Sequence, residues 1–409
     1  MKPNTALKFA RMDAGFTREA LAQVLGVSTM TVYRWERGEN SPTPRVRRRL
    51  CKLLQLPEQA LRRQEPKKEE CWLKDSHSPF LTDPCLPTNQ EPLIGQQPVL
   101  KEIEQAQSSM LGLVGLPGSG KTALVQALTS LPTLGQQGEG LFWATIGQNP
   151  HPLRHLQRWL LLLGERALPE SVEEAQDRLR VLLHGRKVLV ILDDLWNAED
   201  IIPYQLPHCR YIVTTRLPIV ANTVCDHIFR PRALTEMQAF HLLSHDLPIA
   251  LVREHREILR ALCQQVGNLP LAVEQIGKHL RREARSSSQR RFQEALTHLF
   301  HPASYLHLQI SPGSCSLAAS IKRSEAWLSS SAQHAFSTLA THFLTAPSTF
   351  SEQQVVDLIQ TSRQFQLHDL DHLLDVGLLS ATAGYRYQIH PVIAAYARLL
   401  AENKPEITE

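Results

Sequence analysis

A glycine-rich segment that ends in lysine and threonine is the clearest chemical signal in this sequence. Residues 115–122 read GLPGSGKT and fit the pattern G-x-x-x-x-G-K-[ST], between an apolar run at 111–114 and a predicted helix. In this pattern the backbone N–H groups surround phosphate oxygens, and the start of the helix adds positive potential. Lys121 is expected to contact the β- and γ-phosphates and Thr122 to bind Mg²⁺. The predicted nucleotide-contacting residues of this segment are Gly115, Gly118, Ser119, Gly120, Lys121, Thr122 and Ala123.

Two carboxylates and an arginine follow later apolar runs. Asp193 and Asp194 end the run that begins at 187, and Arg216 follows the run 210–214. Because ligands of open α/β sheets bind at the carboxyl ends of the strands, these side chains are expected near the glycine-rich segment. Asp193 is predicted to hold Mg²⁺ together with Thr122. Asp194 and Arg216 are the predicted catalytic pair: the carboxylate orients or deprotonates the attacking water, and the guanidinium neutralises the γ-phosphate.

The elements that position these side chains alternate between two periodicities. Strands are predicted at 111–114, 141–146, 187–192 and 210–214, and helices between them at 152–163 and 171–183. This alternation is typical of a doubly wound parallel α/β sheet. From about Leu234 the pattern becomes helical, including a continuous helix at 249–266. A short hairpin around Gly384 (378–389) precedes a last helix.

The first 56 residues form a basic head with its own pattern. They hold 11 basic and 4 acidic side chains, a net charge of +7, whereas the rest of the chain carries −3. Thr17 is predicted to cap a helix that ends at Gly26, and Ser28 to cap the helix Thr29–Glu36. The residues expected in the core of this pair are Ala20, Leu21, Val24, Leu25, Val32 and Trp35.

This helix pair predicts contacts with the major groove of double-stranded DNA. The predicted DNA-contacting residues are Thr17, Ser28, Thr29, Met30, Thr31, Tyr33, Arg34 and Arg37. The arginines at 45, 47, 48 and 49 suit phosphate contacts, which fix position more than sequence. A helical bundle that binds protein is the alternative interpretation of this head.

Composition excludes several other classes of protein. The 409 residues, 43% hydrophobic and 21% charged, predict two to four globular domains. No apolar run approaches the length of a membrane span, and the start lacks the apolar core of a secretion signal, so a cytoplasmic location with no membrane partner is expected. Seven scattered cysteines show neither a disulfide framework nor metal-site spacing.

The head resembles a known family. The string FTREALAQVLGVSTMTVYRWERGENSPTP is similar to the Cro/repressor (XRE-like) helix-turn-helix family over about the first 56 residues. The resemblance implies DNA as the partner. It also implies that Arg11 and Glu36 form a structural ion pair rather than read bases.

The remainder resembles the NB-ARC family of STAND signalling NTPases over about residues 90–400. The resemblance rests on the order of GLPGSGKT, LVILDDLW, YIVTTR and GNLPLA, the last at 267–272. It implies ATP or ADP with Mg²⁺, Ile94 binding adenine through its backbone, and Pro270 beside the base. His390, in YQIHP, would contact the ADP β-phosphate. Two departures are Pro391, where the family has an aspartate, and Gln96, where it has an arginine.

These observations predict a multidomain α/β protein. The predicted parts are a helix-turn-helix head at 1–57, a linker at 58–89, a P-loop domain at 90–232, and, by resemblance, a helical lid at 233–310 and a winged helix at 311–409.

The predicted function is a switch, closed with ADP and open with ATP, that hydrolyses ATP slowly and regulates transcription through its DNA-binding head. The alternative is a defence-type or scaffold protein that forms a homo-oligomer with ATP and uses the head for protein contacts. A motor or helicase is the third candidate. Family members usually carry a C-terminal repeat array that detects the signal, so either the sequence is short or a separate sensor protein is a further expected partner.

Overall fold

The chain divides into two units, residues 1–77 and 78–409. The computed structural model describes residues 11, 16–36, 46, 49, 50, 53, 81–87, 93–130, 139–285, 288–309, 315–343, 349–362, 366–382, 384 and 386–402. The predicted DNA-contacting Arg37 and the arginines at 45, 47 and 48 lie outside these residues. Within the described part of the chain, no helix combines the length and the apolar character that crossing a membrane requires.

The first unit contains the predicted helix pair, α1 (Arg18–Leu25) and α2 (Thr29–Glu36). The Thr17 hydroxyl accepts a hydrogen bond from the N–H of Ala20 and caps α1. Gly26 ends α1 in a left-handed conformation with φ +69°, which costs glycine little. The Ser28 hydroxyl accepts from the N–H of Thr31 at the start of α2. The predicted capping residues are therefore confirmed.

The buried face of α1 differs from the prediction, because Ala22 is buried and Val24 is not. Leu21, Ala22 and Leu25 are buried against Val32 of α2, whereas the Val24 side chain is 50% exposed. At about 100° per residue, positions 21, 22 and 25 share one side of the helix and position 24 lies on its flank. The prediction that Val24 packs in this core is wrong.

The second unit contains a six-stranded sheet, and all its strand pairs are parallel. The strand order is β1-β3-β4-β5-β2-β6. The strands are β1 (Leu81–Thr82), β2 (Met110–Val114), β3 (Gly140–Thr145), β4 (Val188–Leu195), β5 (Cys209–Thr215) and β6 (His227–Phe229). The helices of this part are α3 (Gln97–Gln105), α4 (Lys121–Thr129), α5 (Pro152–Leu162), α6 (Val172–Leu182) and α7 (Pro218–Val224).

Both faces of this sheet are buried, which explains its apolar strands. Leu189 and Ile191 of β4 belong to a core shared with α3 and α4. Val190 and Leu192, which alternate with them, belong to a core shared with α5 and α6. The predicted parallel sheet with helices on both faces is confirmed.

The first strand lies inside the predicted linker. Leu81 pairs with Gly140 at one edge of the sheet, and the next residue but one, Asp83, is 1% exposed. The Asp83 carboxylate accepts hydrogen bonds from the indole N–H of Trp159 at 2.9 Å and from Arg158 at 3.0 Å. Residues 81–87 therefore belong to the second unit, and the linker boundary predicted at 89 is wrong. A two-residue strand fixed by tertiary contacts leaves no periodic signal.

The chain continues after the sheet in a run of helices. These are α8 (Glu236–Ser244), α9 (Ile249–Glu254), α10 (Arg256–Gln265), α11 (Pro270–Ala284), α12 (Gln289–Leu299) and α13 (Pro302–Leu306). The continuous helix predicted at 249–266 is interrupted at His255, which caps both α9 and α10.

The last part combines helices with a small antiparallel sheet of strand order β7-β9-β8. Its elements are α14 (Leu317–Glu325), α15 (Ser330–His342), β7 (Thr349–Ser351), α16 (Glu352–Ser362), α17 (His368–Asp375), β8 (Ser380–Thr382), β9 (Arg386–Gln388) and α18 (Pro391–Glu402). The predicted hairpin corresponds to β8 and β9.

Candidate functional site

The glycine-rich segment forms a loop between β2 and α4. Gly118 and Gly120 adopt φ values of +80° and +90°, which side chains with a Cβ rarely tolerate. Lys121 begins α4 and is buried, and its ammonium donates hydrogen bonds to the carbonyls of Gly115 (2.7 Å) and Leu116 (3.0 Å). The lysine therefore crosses back over the loop that precedes it.

The buried ammonium of Lys121 has an unusually low pKa. The pKa of Lys121 is lowered to about 7, mainly by burial and also by the charge of Arg216, while Asp194 and Asp193 oppose the shift. A group with this pKa is partly neutral near pH 7 and gains from an anion brought beside it. The loop is thus prepared for a negatively charged ligand.

Asp193 is held by hydroxyl groups from two elements. Its carboxylate accepts hydrogen bonds from Thr122 at 3.0 Å and from Thr214 of β5 at 2.7 Å. Burial raises the pKa of Asp193, and the hydrogen bonds from the two threonines act against this shift. Carboxylate and hydroxyl oxygens are the ligands that Mg²⁺ prefers, so Thr122 and Asp193 fit such an ion.

Asp194 leaves the regular strand geometry. Its φ is +60°, and the pairing of β4 with β5 shifts register between Leu192 and Leu195. In a regular strand, neighbouring side chains point to opposite faces, but this irregularity lets Asp193 and Asp194 line the same cavity. The backbone N–H of Asp194 donates to the Thr214 hydroxyl at 2.9 Å, which fixes the irregular segment.

The carboxylate of Asp194 binds two donors. Arg216 Nε donates to one oxygen, and the indole N–H of Trp196 donates to the other, each at 3.1 Å. The guanidinium also lies over the Trp196 ring, 5.1 Å from its centroid. The structure therefore brings the two predicted catalytic residues together as an ion pair.

The predicted residues of the loop and the strand ends surround one cavity of about 740 Å³. It is lined by Ile94, Gly118, Ser119, Gly120, Lys121, Thr122, Ala123, Asp193, Asp194, Arg216 and Pro270 among others. Gly115 lines a neighbouring cavity instead. A cavity of this size is in the range that holds cofactors and small ligands.

Several lining residues were not predicted from the sequence. They are Leu93, Gln96, Pro117, Gln126, Thr145, Thr214, Leu234, Leu242, Leu271, Glu274, Lys278 and Ser320. Glu274 and Lys278 lie one and two turns after Pro270 on α11, a spacing that the sequence does contain. Ser320 lies on α14, and no local signal relates it to this cavity.

Gln96 has a specific role at the edge of this cavity. It is 2% exposed, its amide donates to the carbonyl of Arg232 at 2.7 Å, and its amide oxygen accepts from the N–H of the same residue at 2.9 Å. Gln96 thus satisfies both backbone groups of Arg232, a pairing that an arginine at position 96 could not make, because arginine has no acceptor.

The start of α11 contacts the loop directly. The N–H of Leu271 donates to the carbonyl of Gly118 at 3.1 Å. A Cβ at Gly118 would lie 2.8 Å from the Leu271 Cβ, so this approach requires glycine. Pro270, the first residue of α11, lines the cavity at this point.

His390 lies in a second cavity of about 580 Å³, together with Gly115, Leu116 and Ser119. Its Nδ1 accepts a hydrogen bond from the N–H of Val392 at 3.3 Å. The hydrogen is therefore on Nε2, which lies 3.3 Å from the carbonyl oxygen of Gly267. Burial lowers the pKa of His390 to about 4, although the hydrogen bond to the Gly267 carbonyl acts to raise it. The structure does not place His390 in the cavity of Lys121, and its phosphate contact stays a prediction.

The predicted DNA-contacting residues differ in exposure. Met30 and Arg34 on α2 are exposed, while Thr29, Thr31 and Tyr33 are half-buried. The hydroxyls of Thr17 and Ser28 serve as helix caps. Met30 and Arg34 are therefore the described residues of α2 that present most of their side chains to a partner.

Glu36 binds two arginines at the end of α2. Its carboxylate accepts from Arg11 Nε at 2.6 Å and from Arg18 Nε at 2.7 Å. Burial raises the pKa of Glu36, but the hydrogen bonds and charges of the two arginines outweigh burial and lower it overall. The predicted ion pair between Arg11 and Glu36 is confirmed, and Arg18 extends it.

Models of two known families match parts of the chain. The family model for the NB-ARC domain matches residues 96–247, and the model for a helix-turn-helix domain matches residues 5–64. The chain therefore carries an N-terminal helix-turn-helix domain and an NB-ARC domain at these residues, and the NB-ARC resemblance beyond residue 247 stays a prediction.

Two similar proteins come from Arabidopsis thaliana. The Probable disease resistance protein RF45 is 27% identical over 241 residues, 54% of this chain and 23% of that protein. The Disease resistance protein RPP13 is 27% identical over 192 residues, 42% of this chain and 23% of that protein. The chain thus spans less than a quarter of the length of these relatives.

Two solved structures match much of the chain at low sequence identity. The Walker-type ATPase PABY2304 of Pyrococcus abyssi is 12% identical, with a TM-score of 0.49, covering 75% of this chain and 96% of that one. The ORC2 protein of Aeropyrum pernix is 12% identical, with a TM-score of 0.43, covering 77% and 98%.

Proposed function

We propose that this protein is a nucleotide-controlled switch that binds ATP or ADP with Mg²⁺ and regulates transcription through a DNA-binding head. The observation that carries the proposal is the convergence of Lys121, Thr122, Asp193 and Arg216 on one cavity that α11 also lines. Lys121 and Thr122 lie at the start of α4, Asp193 lies in β4, and Arg216 directly follows β5. The carboxyl ends of the strands of a parallel sheet are where its ligands bind.

In this proposal each side chain has a separate task. The N–H groups of the loop and the Lys121 ammonium bind phosphate oxygens. Thr122 and Asp193 hold Mg²⁺, which when bound neutralises charge on the β- and γ-phosphates. Asp194 orients the attacking water and Arg216 stabilises charge on the γ-phosphate. The reaction is hydrolysis of ATP to ADP and phosphate, at a slow rate suited to resetting a switch.

The switch itself requires parts that respond to the nucleotide. We assign residues 233–310 as a helical lid and 311–409 as a winged helix. With ADP, Pro270 and His390 would hold both parts against the loop, and His390 would exchange the Gly267 carbonyl for the β-phosphate. A nucleotide shifts this equilibrium only by its difference in affinity for the two arrangements, so ADP and ATP must favour different ones.

Identification of the nucleotide that co-purifies with the protein tests the core of the proposal. We expect ADP or ATP at close to one equivalent, and retention at least about 100-fold weaker in Lys121→Ala, which loses the phosphate-binding cation. Lys101→Ala, on the exposed side of α3, is the matched control and should retain the nucleotide. Wild-type protein that neither carries nor binds ADP or ATP with Mg²⁺ would refute the switch.

Binding of the full chain to duplex DNA tests the head. The affinity should fall steeply with salt, because arginines that contact phosphates release counterions. Arg34→Ala should weaken binding, while Arg256→Ala, which removes an exposed arginine from α10, should not. A salt-independent affinity, or none for any duplex in a random library, would contradict a transcription regulator.

A second candidate is a defence-type or scaffold protein, and the disease resistance relatives favour it. In that case the ATP-bound protein forms a homo-oligomer, a separate sensor protein supplies detection, and the head binds protein. Light scattering with ADP and with a non-hydrolysable ATP analogue separates the two candidates. A nucleotide-dependent rise in mass without DNA binding supports the scaffold.

A further inference from the structure

Arg216 connects the nucleotide cavity to α14. Its Nε donates to Asp194, and its Nη1 donates to both the carbonyl (2.9 Å) and the hydroxyl (3.0 Å) of Ser320. Ser320 is buried on α14, more than a hundred positions further along the chain. One side chain therefore joins the predicted catalytic carboxylate to the C-terminal part of the chain.

A pair of tryptophans makes a parallel connection. Trp196, which follows β4, donates its indole N–H to Asp194 and lies under the Arg216 guanidinium. Its ring stacks on Trp327, with centroids 5.9 Å apart and planes 26° apart. Trp327 lies two residues after the end of α14. Asp194 and Arg216 are thus both linked to α14 or the residues that follow it, once by hydrogen bonds and once by aromatic stacking.

The backbone of Arg216 is also covered from this side. Gly377, between α17 and β8, has φ +71°, and a Cβ there would lie 2.5 Å from the carbonyl oxygen of Arg216. Only glycine permits this approach. Two separate segments of the C-terminal part, α14 and the turn at Gly377, therefore contact Arg216.

The donors of Arg216 limit what else it can bind. Two of its three nitrogens already donate to protein oxygens, Nε to Asp194 and Nη1 to Ser320. A bidentate contact with phosphate oxygens needs one N–H from each of two nitrogens, so it requires Nε or Nη1. Arg216 must therefore release Asp194 or Ser320 before it can bind a γ-phosphate in this way.

We propose that Ser320 and Trp327 hold Arg216 and Trp196 away from the γ-phosphate, so that α14 reports whether the bound nucleotide is ATP or ADP. When a γ-phosphate draws the guanidinium toward the loop, the bonds to Ser320 break and the Trp196–Trp327 stack loosens. The same movement frees an oxygen of Asp194 to accept a hydrogen bond from the attacking water. Release of α14 and readiness for hydrolysis are then one event. This inference rests on the proposed function.

The ratio of two affinities tests the proposal. Ser320→Ala removes the hydroxyl that accepts from Arg216 but keeps the backbone carbonyl, and Trp327→Ala removes the ring that stacks on Trp196; both leave the loop intact. We expect the affinity for a non-hydrolysable ATP analogue with Mg²⁺ to rise by about tenfold, while that for ADP changes less than about twofold. Lys322→Ala, on the exposed side of α14, is the matched control and should leave both affinities unchanged.

Tryptophan emission gives an independent readout. The ATP analogue should change the wild-type emission and ADP should not, and Trp327→Phe should remove most of this difference. A general loss of stability would weaken the binding of both nucleotides alike and would not change the ratio of the two affinities.

Each outcome has a separate meaning. If wild-type protein binds neither nucleotide, the proposed function itself fails. If it binds both, but Ser320→Ala and Trp327→Ala keep the wild-type ratio, the nucleotide switch stands and the role of α14 is refuted. If Trp327→Ala does not fold, Ser320→Ala decides the question, because it removes a single oxygen.

Discussion

The hydroxyl of Thr122 donates a hydrogen bond to the carboxylate of Asp193 over 3.0 Å, although the two residues lie 71 positions apart. The first stands at the start of α4 and the second near the end of β4. Thr214 donates to the same carboxylate from β5. Three elements of the sheet layer therefore meet at one carboxylate, and this meeting point orients the oxygens that suit Mg²⁺.

Loss of the Thr122 hydroxyl should remove the effect of Mg²⁺ on nucleotide binding. In the wild type we expect Mg²⁺ to strengthen ATP binding at least about tenfold, and in Thr122→Ala we expect almost no effect. Titrations with Mg²⁺ and with EDTA measure both values. Thr122→Ser keeps the hydroxyl and serves as the control, so equal Mg²⁺ dependence in Thr122→Ala and Thr122→Ser would show that this oxygen is not a ligand.

Nucleotide binding should take up a proton at alkaline pH. The pKa of Lys121 is about 7 in the free protein, so the amine is mostly neutral at about pH 8.5. Phosphate oxygens beside it favour the ammonium form and raise its pKa, so binding adds close to one proton. Calorimetry in two buffers of different ionisation enthalpy measures this uptake. A binding enthalpy that is the same in both buffers near that pH would rule out the assigned contact.

Replacement of Gln96 by arginine should destabilise the protein, although the NB-ARC resemblance places an arginine there. Gln96→Arg leaves the N–H of Arg232 without its acceptor and buries a charge, at a cost of about 2–4 kcal/mol. Thermal unfolding measures the change. Gln97→Arg, at the exposed neighbouring position, is the control and should cost less than about 0.5 kcal/mol. Equal stability of the two variants would contradict the role of Gln96.

His390 should make stability depend on pH in the acid range. Its folded pKa of about 4 lies below the ordinary 6.5, so the unfolded chain binds the proton more readily. The stabilisation is fully present above pH 6.5 and is lost as pH falls through about 4, by at most about 3 kcal/mol. Denaturant unfolding at several pH values measures it.

His390→Gln should flatten this dependence. Part of the pH dependence would remain, because the pKa of His155 is also lowered to about 4 by burial and by the charge of Arg158. The charge of Asp83 opposes that shift. An unchanged pH profile in His390→Gln would show that His390 is not held in its neutral form.

The loop and its carboxylates could be predicted because their signals are local. The spacing of Gly118, Gly120 and Lys121 specifies a phosphate-binding loop wherever a strand precedes it and a helix follows. The apolar run before Asp193 likewise specifies a buried strand. Neither inference needs the arrangement of distant elements.

Features set by tertiary packing could not be predicted in this way. The strand at Leu81 is two residues long, and the Asp83 carboxylate accepts hydrogen bonds from Trp143 and Trp159, which lie 60 and 76 positions away. Ser320 contacts Arg216 although the two residues lie 104 positions apart, so only the tertiary structure brings them together. The position of His390 depends on how the C-terminal part rests on Gly267, and a short motif does not encode that placement.

The hydrogen bond between Leu271 and Gly118 has a consequence for timing. Because the Gly118 carbonyl belongs to the loop that surrounds the phosphates, α11 cannot withdraw without disturbing the backbone on which a ligand rests. We therefore expect a single slow rate to govern both departure of the ligand and displacement of that helix. Such a coupling would make the residence time of one ligand molecule set how long α11 keeps its position after the stimulus has ended.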